Sequence, residues 1–238
     1  MLALLRQRVG QNVAQLGAWD AACYFAGMAL RRLGIRLYKY EFVAQPVAVA
    51  PLARGRGKAI DVRLATDIAG VPPDYPRPAR VVADRFAQGA LTLQAWKGGD
   101  LAGFLWLLHD GYREDEVRAD YRLASPASVW DFDVYVAPAY RMGPTYLRLW
   151  EEANTLLRER GVRWTCSRIS SFNVASRHAH ARLGTVRMGG ALFLCAGRWQ
   201  LSCLTQAPFL HLSRQAAPRL TFDTAALAPP QPLQTMPR

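Results

Sequence analysis

Two aspartates, Asp131 and Asp133, stand two positions apart in the alternating run VWDFDVYV. In an extended strand that spacing puts both carboxylates on one face. A buried pair of like charges raises the pKa of one member, which suits a proton acceptor working near neutral pH. The same residues could instead bind neighbouring arginines or loop amides. Asp133, nearer the end of the strand, is the favoured acceptor, with Asp131 beside it. A second acidic group, Glu114-Asp115-Glu116, lies in the charged run GYREDEVRADYRL. It reads as a solvated loop or as carboxylates that meet a cationic amine, with Glu114 and Glu116 as the contacts. Arg141, Gly143 and Pro144 follow the aspartate strand. A cation at a turn that opens a helix favours a phosphate, because the first helical amides point outward.

These residues need a strand, a turn and a helix to hold them, and residues 129–161 supply the pattern. Trp130, Phe132, Val134 and Val136 alternate with polar positions, the period of a strand, and Pro138 ends it. Pro144 suits a first helical turn. Leu149, Trp150, Ala153, Leu156 and Leu157 recur at helical spacing, and Gly161 closes the helix. Before this unit, residues 2–33 predict one or two helices, residues 35–49 a strand interrupted at Pro46, and residues 60–64 a short strand. The loop PLARGRGK (51–58) is basic but lacks the strand–helix context of a phosphate loop, so it reads as a connection. Residues 81–88 predict a short helix, and residues 91–109 a β-hairpin about Gly98-Gly99. After the central unit come a strand (162–170), a helix capped by Asn173 and closed by Gly184, and one or two closing strands (185–203). Residues 205–238 read as a weakly structured tail. The expected division is a basic N-terminal extension (1–59), a catalytic-type domain (60–204) and the tail.

The totals narrow the field. The chain has 238 residues, 51% of them hydrophobic, enough for one real core. No apolar run is long enough for a transmembrane helix, and Arg6, Arg8 and Gln11 interrupt any signal-peptide core. Four cysteines and four histidines show no metal-ligand spacing, so no metal is expected, and reduced thiols point to a cytoplasmic protein. The net charge is +12. Residues 61–196 carry 17 basic and 15 acidic side chains, so the central region is nearly neutral and no nucleic acid is expected as partner. The excess lies in the flanks, and residues 1–40 read either as a peripheral membrane or protein contact or as a helix packed on the domain with solvated arginines.

The order of elements resembles the GNAT superfamily of acyl-CoA-dependent N-acetyltransferases, from about residue 60 to residue 203. Family members show a strand, a Q/R-x-x-G-x-G/A loop and a helix ending in glycine. Arg141 and Gly161 here have the matching spacing. A second helix of the form N-x-x-A-x-x-x-Y-x-x-x-G follows in the family, and Asn173, Ser176, His180 and Gly184 fall at those positions. The resemblance implies an α/β (α+β) fold: a mixed, mostly antiparallel sheet flanked by helices, with an N-terminal helical extension. It implies acetyl-CoA or another acyl-CoA as co-substrate and a small-molecule or protein amine as acceptor, joined by direct attack. It also admits a homodimer. Val136, Arg141, Gly143, Thr145, Asn173 and Ser176 are then the co-substrate residues. His180 stands where relatives carry a tyrosine that protonates the leaving thiolate. The loop departs from the family pattern, since Pro144 has no N–H and Tyr146 adds bulk. The alternative expectation is a fold of this kind without CoA activity, serving as a binding module at a membrane surface.

Overall fold

A computed structural model describes residues 13–227. Along the chain it shows α1 (Ala18–Arg31), β1 (Ile35–Pro46), β2 (Asp61–Ala65), α2 (Ala79–Ala87), β3 (Leu91–Lys97), β4 (Asp100–Leu108), β5 (Gly111–Arg113) and β6 (Asp120–Leu123). There follow β7 (Ser128–Val136), α3 (Thr145–Glu159), β8 (Trp164–Ser170), α4 (Val174–Ala181), β9 (Val186–Ala196), β10 (Trp199–Leu204), β11 (Leu210–Ser213) and β12 (Arg219–Phe222). The architecture is mixed α/β, with mostly antiparallel strands flanked by helices, as expected from the sequence.

The chain divides into two compact units, and each draws on distant stretches of sequence. The first contains Met1–Ala44, Arg113–Tyr121 and Arg168–Leu220. Its strands run in the order β11-β10-β9-β1. β1 pairs antiparallel with β9 from Ile35↔Ala196 to Ala44↔Val186. Residues 35–46 are therefore not an extension ahead of the domain, while residues 2–12 of the expected helices lie outside the described residues. β1 is an integral member of the sheet, bound by long-range pairing that local sequence does not announce. The expected tail is also partly ordered. It contributes β11 and β12, and Leu220 and Phe222 are buried.

The second unit contains Gln45–Tyr112, Arg122–Ser167 and the chain from Thr221 on. Its strands run β8-β7-β4-β3-β2. β2, β3, β4 and β7 are antiparallel neighbours, whereas β7 and β8 run parallel. The α3 helix lays Leu149, Trp150, Ala153 and Leu157 onto this sheet, all fully buried. Gly103 on β4 is what lets the helix come close. A Cβ there would stand 2.6 Å from the Tyr135 carbonyl oxygen and 3.2 Å from the Thr145 methyl.

Candidate functional site

β7 carries the first irregularity. Its ladder with β4 runs Val136↔Gly103 and Tyr135↔Phe104, then resumes at Phe132↔Trp106. Two residues, Asp133 and Val134, thus oppose the single Leu105, which is a β-bulge. Asp133 takes a left-handed φ of 49°, unusual for a residue with a side chain. The bulge breaks the alternation, so Asp131 and Asp133 do not share a face. This corrects the expected pair.

Each aspartate has its own surroundings. Asp133 accepts from Arg77 Nε at 2.7 Å and Arg85 Nη1 at 2.5 Å, and Arg77 Nη2 bonds its other oxygen. Both guanidiniums also stack on rings, Arg77 over Phe104 and Tyr135, and Arg85 over Trp106 and Phe132. Burial alone would raise the Asp133 pKa, but the hydrogen bonds and charges of the two arginines outweigh it and hold the carboxyl low. Asp133 is a fixed anion, a poor proton acceptor, and its expected role as base does not suit its partners.

Asp131 is the reverse case. It is fully buried, and burial pushes its pKa up to about 7. The Thr165 and Ser167 hydroxyls on β8 face it and pull the value down in part, yet neither comes into close hydrogen-bond geometry with it. Tyr146 lies near enough to feel its charge, and burial raises that phenol too. The Tyr146 hydroxyl is buried without a hydrogen-bond partner and its ring meets Trp150 edge-on at 6.4 Å. Tyr146 therefore turns into the protein, and its bulk does not stand before the helix end as the sequence suggested. β7 and β8 pair only over Ser128–Trp130 and Trp164–Cys166, so Asp131 sits one residue past the last pair.

At the far end of β7 the Ala137 amide donates to the Ala102 carbonyl at 2.9 Å. By alternation the Val136 main chain addresses the other edge of the strand. There its carbonyl accepts from Arg141 Nε at 3.2 Å, so the exposed Arg141 is folded back against the strand end. Gly143 closes the turn by donating its N–H to the Tyr140 carbonyl at 3.1 Å. The first main-chain bond into α3 is Arg148 N–H to Pro144 O, and Pro144 offers no capping side chain. The amides of Thr145, Tyr146 and Leu147 therefore precede the helical ladder, an uncapped positive helix end. Thr145 itself is buried.

Sequence reasoning missed what lies beside this helix end. A Cβ on Gly57 would stand 2.8 Å from Pro144 Cγ and 2.9 Å from Arg148 Cγ, and Gly57 has a φ of 75°. The basic loop 51–58 thus abuts the first turn of α3. Arg54, Arg56 and Lys58 are exposed on it, and among the described residues none of them has an ion pair. Arginine and glycine in one short loop were the available signal, but only the contact at Gly57 shows where the loop lies.

The remaining predicted residues belong to the first unit. Asn173 caps α4, its Oδ1 accepting from the Ser176 amide at 3.0 Å. His180 is buried, which lowers its pKa to about 4. At neutral pH its ring is uncharged, so the imidazolium expected to protonate a thiolate is not populated. Glu114 is buried and held by Arg168 through two 2.7 Å bonds; Glu116 meets the same arginine at 2.8 Å and accepts from the Tyr40 hydroxyl at 2.9 Å. Arg168 also lies over the Tyr40 ring. Glu114 is committed to an internal ion pair and is not displayed to an amine. Both glutamates line a cavity of about 350 Å³ with Arg36, Arg113 and Arg118. Among the described residues no group of three or more histidine, cysteine or acidic side chains could hold a metal.

The chain is similar to solved acetyltransferases. A GCN5-related N-acetyltransferase from Sphaerobacter thermophilus aligns over 70% of this chain and 54% of its own, with 18% identity and a TM-score of 0.45. A tandem GNAT protein of the clavulanic acid pathway aligns over 69% and 56%, with 16% identity and a TM-score of 0.43. A conserved protein of unknown function from Staphylococcus epidermidis aligns over 70% and 64%, with 14% identity and a TM-score of 0.46. The chain thus spans less than two thirds of the length of these structures. No family model matches the sequence, and no curated protein does.

Proposed function

We propose that the second unit binds an acyl-CoA and that the protein transfers the acyl group to a primary amine. One observation carries this reading. A bulged strand leads through Arg141 into an uncapped helix end, and a basic loop whose three cations form no ion pair among the described residues is packed against that end. Free helix-end amides, the helix dipole and neighbouring cations are the groups that favour a bound pyrophosphate. Residues of the chain fit the group: the Thr145, Tyr146 and Leu147 amides and Arg141 would hold the pyrophosphate, and Arg54, Arg56 and Lys58 would hold the further phosphate. Bound acyl-CoA would supply an acyl thioester, whose transfer breaks the C–S bond and forms an amide. The Val136 amide, facing the free edge of β7, would be the donor to the oxygen that gains charge. Asp131 is the chain's candidate to take the proton released by the amine, since a carboxyl with a pKa of about 7 can accept and return a proton at neutral pH. Because Asp133 is committed to Arg77 and Arg85, the division of labour is an anchor at the bulge and an acceptor at the strand junction.

Calorimetric titration with acetyl-CoA tests the reading. Micromolar binding is expected, weakened roughly tenfold in Arg141→Ala. A folded wild-type protein that releases no heat with any acyl-CoA refutes it and leaves the binding-module alternative.

A further inference from the structure

We infer that a cavity between α1 and β1 of the first unit binds a small planar aromatic carboxylate. Local sequence builds most of it. Tyr24, Gly27, Met28 and Arg31 recur at intervals of three and four, so α1 turns them to one side. Arg36, Leu37 and Tyr38 come from the start of β1. Ser171 donates its amide to the Lys39 carbonyl at 2.9 Å, which sets the next residue, Phe172, beside the strand. These residues line a cavity of about 320 Å³, at the lower end of the ~300–1,000 Å³ usual for small-molecule sites. All of them lie in the first unit, so the inference stands whether or not the second unit binds an acyl-CoA.

The wall holds three rings, two cations and no carboxylate. Tyr24 meets Phe172 edge-on at 5.6 Å, and the Arg36 guanidinium lies over the Tyr38 ring at 5.9 Å. Among the described residues the Tyr24 and Tyr38 hydroxyls have no hydrogen bond and Arg31 and Arg36 have no ion pair. Asp20, one turn before Tyr24, is already matched by Lys39 and Arg177. The carbonyl end of α1 opposes an anion with about half a charge, against two full positive charges. Rings offer their faces and edges to a planar π-system, and guanidinium forks match a carboxylate. Arg36 also borders the cavity of Glu114 and Glu116, so Arg31 gives the sharper test.

Gly27 is a second observation. It sits within α1 and has no left-handed φ, so its backbone does not require glycine. A Cβ there would lie 3.5 Å from Leu37 Cβ and 3.9 Å from Leu37 Cδ2, which are ordinary contacts, so packing does not require glycine either. Inside a helix glycine is less stable than alanine. What the missing side chain leaves is room: Gly27 lines the cavity, and a long side chain there would extend into it.

The experiment is calorimetric titration of the full chain with 2-naphthoate, beside the neutral 2-naphthamide and the non-aromatic cyclohexanecarboxylate. A Kd on the order of 100 µM is expected for 2-naphthoate, with both comparison ligands at least tenfold weaker. Arg31→Gln should weaken 2-naphthoate roughly tenfold. Arg32→Gln removes a neighbouring charge that does not line the cavity and should change nothing. Gly27→Leu fills the space and should abolish binding, with circular dichroism checking the fold. Gly27→Ala should melt higher than wild type and bind within a few-fold of it. Should Gly27→Leu fail to fold, the contrast between Arg31→Gln and Arg32→Gln decides. A folded wild type that releases no heat with 2-naphthoate overturns the inference. So does an amide bound as tightly as the carboxylate, or a folded Gly27→Leu that binds like wild type. Adenosine monophosphate bound more tightly than 2-naphthoate overturns it in favour of a nucleotide.

Discussion

Asp131 shows how much one buried carboxyl can govern. Its pKa is about 7 in the folded chain against 3.8 for an ordinary aspartate, and burial is the cause. The folded state therefore holds this proton over a pH range in which the unfolded state has released it. Between about pH 4 and pH 7 that difference makes folding less favourable as pH rises, by at most about 4 kcal/mol at completion. Asp131→Asn keeps the shape and removes the titration. It is expected to melt higher than wild type at pH 8, with the advantage shrinking at pH 5. Thermal melts at both values measure this, and an advantage independent of pH would place the raised pKa elsewhere. If Asp131 also accepts the amine proton, the same variant loses acyl transfer while retaining acetyl-CoA binding. His180 acts in the opposite direction. Its lowered pKa of about 4 means that acidification from 6.5 downward works against the folded state, which must keep the ring neutral.

At the scale of the element, the bulge in β7 depends on what Asp133 holds. Its left-handed φ is strained for most side chains, and the two arginines are what stabilise it there. Asp133→Asn tolerates the same backbone but withdraws the charge from the buried Arg85 guanidinium. Breaking a buried pair by removing one partner costs about 3–5 kcal/mol, so a large fall in melting temperature is expected. Asp133→Gly relieves the backbone and loses the same ion pair, so it should fall nearly as far. If instead the glycine variant matches wild type, backbone strain and not the pair sets the stability of the bulge. This element also marks the limit of what sequence shows. Alternation in VWDFDVYV reveals a strand, and Pro144 and Gly161 bracket the helix, because those signals are local. A bulge inserts one residue without disturbing the apolar pattern, so the facing of Asp133 cannot be read from spacing. The placement of loop 51–58 at α3 and of β1 beside β9 rests on contacts between residues far apart in the chain. The inward turn of Tyr146 is likewise set by the packing around Trp150. The charged run 111–123 was legible as polar, but its glutamates answer to Arg168, more than fifty positions away.

For the whole molecule, the +12 charge raises the question of whether an anionic ligand is drawn by the total or by a few cations. The structure favours the few. Arg54, Arg56, Lys58 and Arg141 are exposed, carry no ion pair among the described residues, and belong to one loop-and-turn assembly at the start of α3. Most other interior arginines are already matched, as Arg77 and Arg85 are by Asp133, Arg148 by Glu151 and Glu152, and Arg168 by Glu114. Charges in contact with a phosphate are only partly screened by salt, whereas a diffuse field vanishes beyond a Debye length of ~8 Å at physiological ionic strength. Removing two local charges with Arg56→Ala/Lys58→Ala should weaken acetyl-CoA roughly tenfold or more and flatten its salt dependence. Removing two equal charges with Arg31→Ala/Arg32→Ala, on the exposed end of α1, should change affinity little. Titrations at low and high potassium chloride, with acetyl-pantetheine as the ligand that lacks the nucleotide, complete the comparison. Its binding should ignore both salt and the loop variants. Equal losses in the two double variants would mean that net charge alone attracts the ligand, and the loop beside α3 would then be no more than a connection.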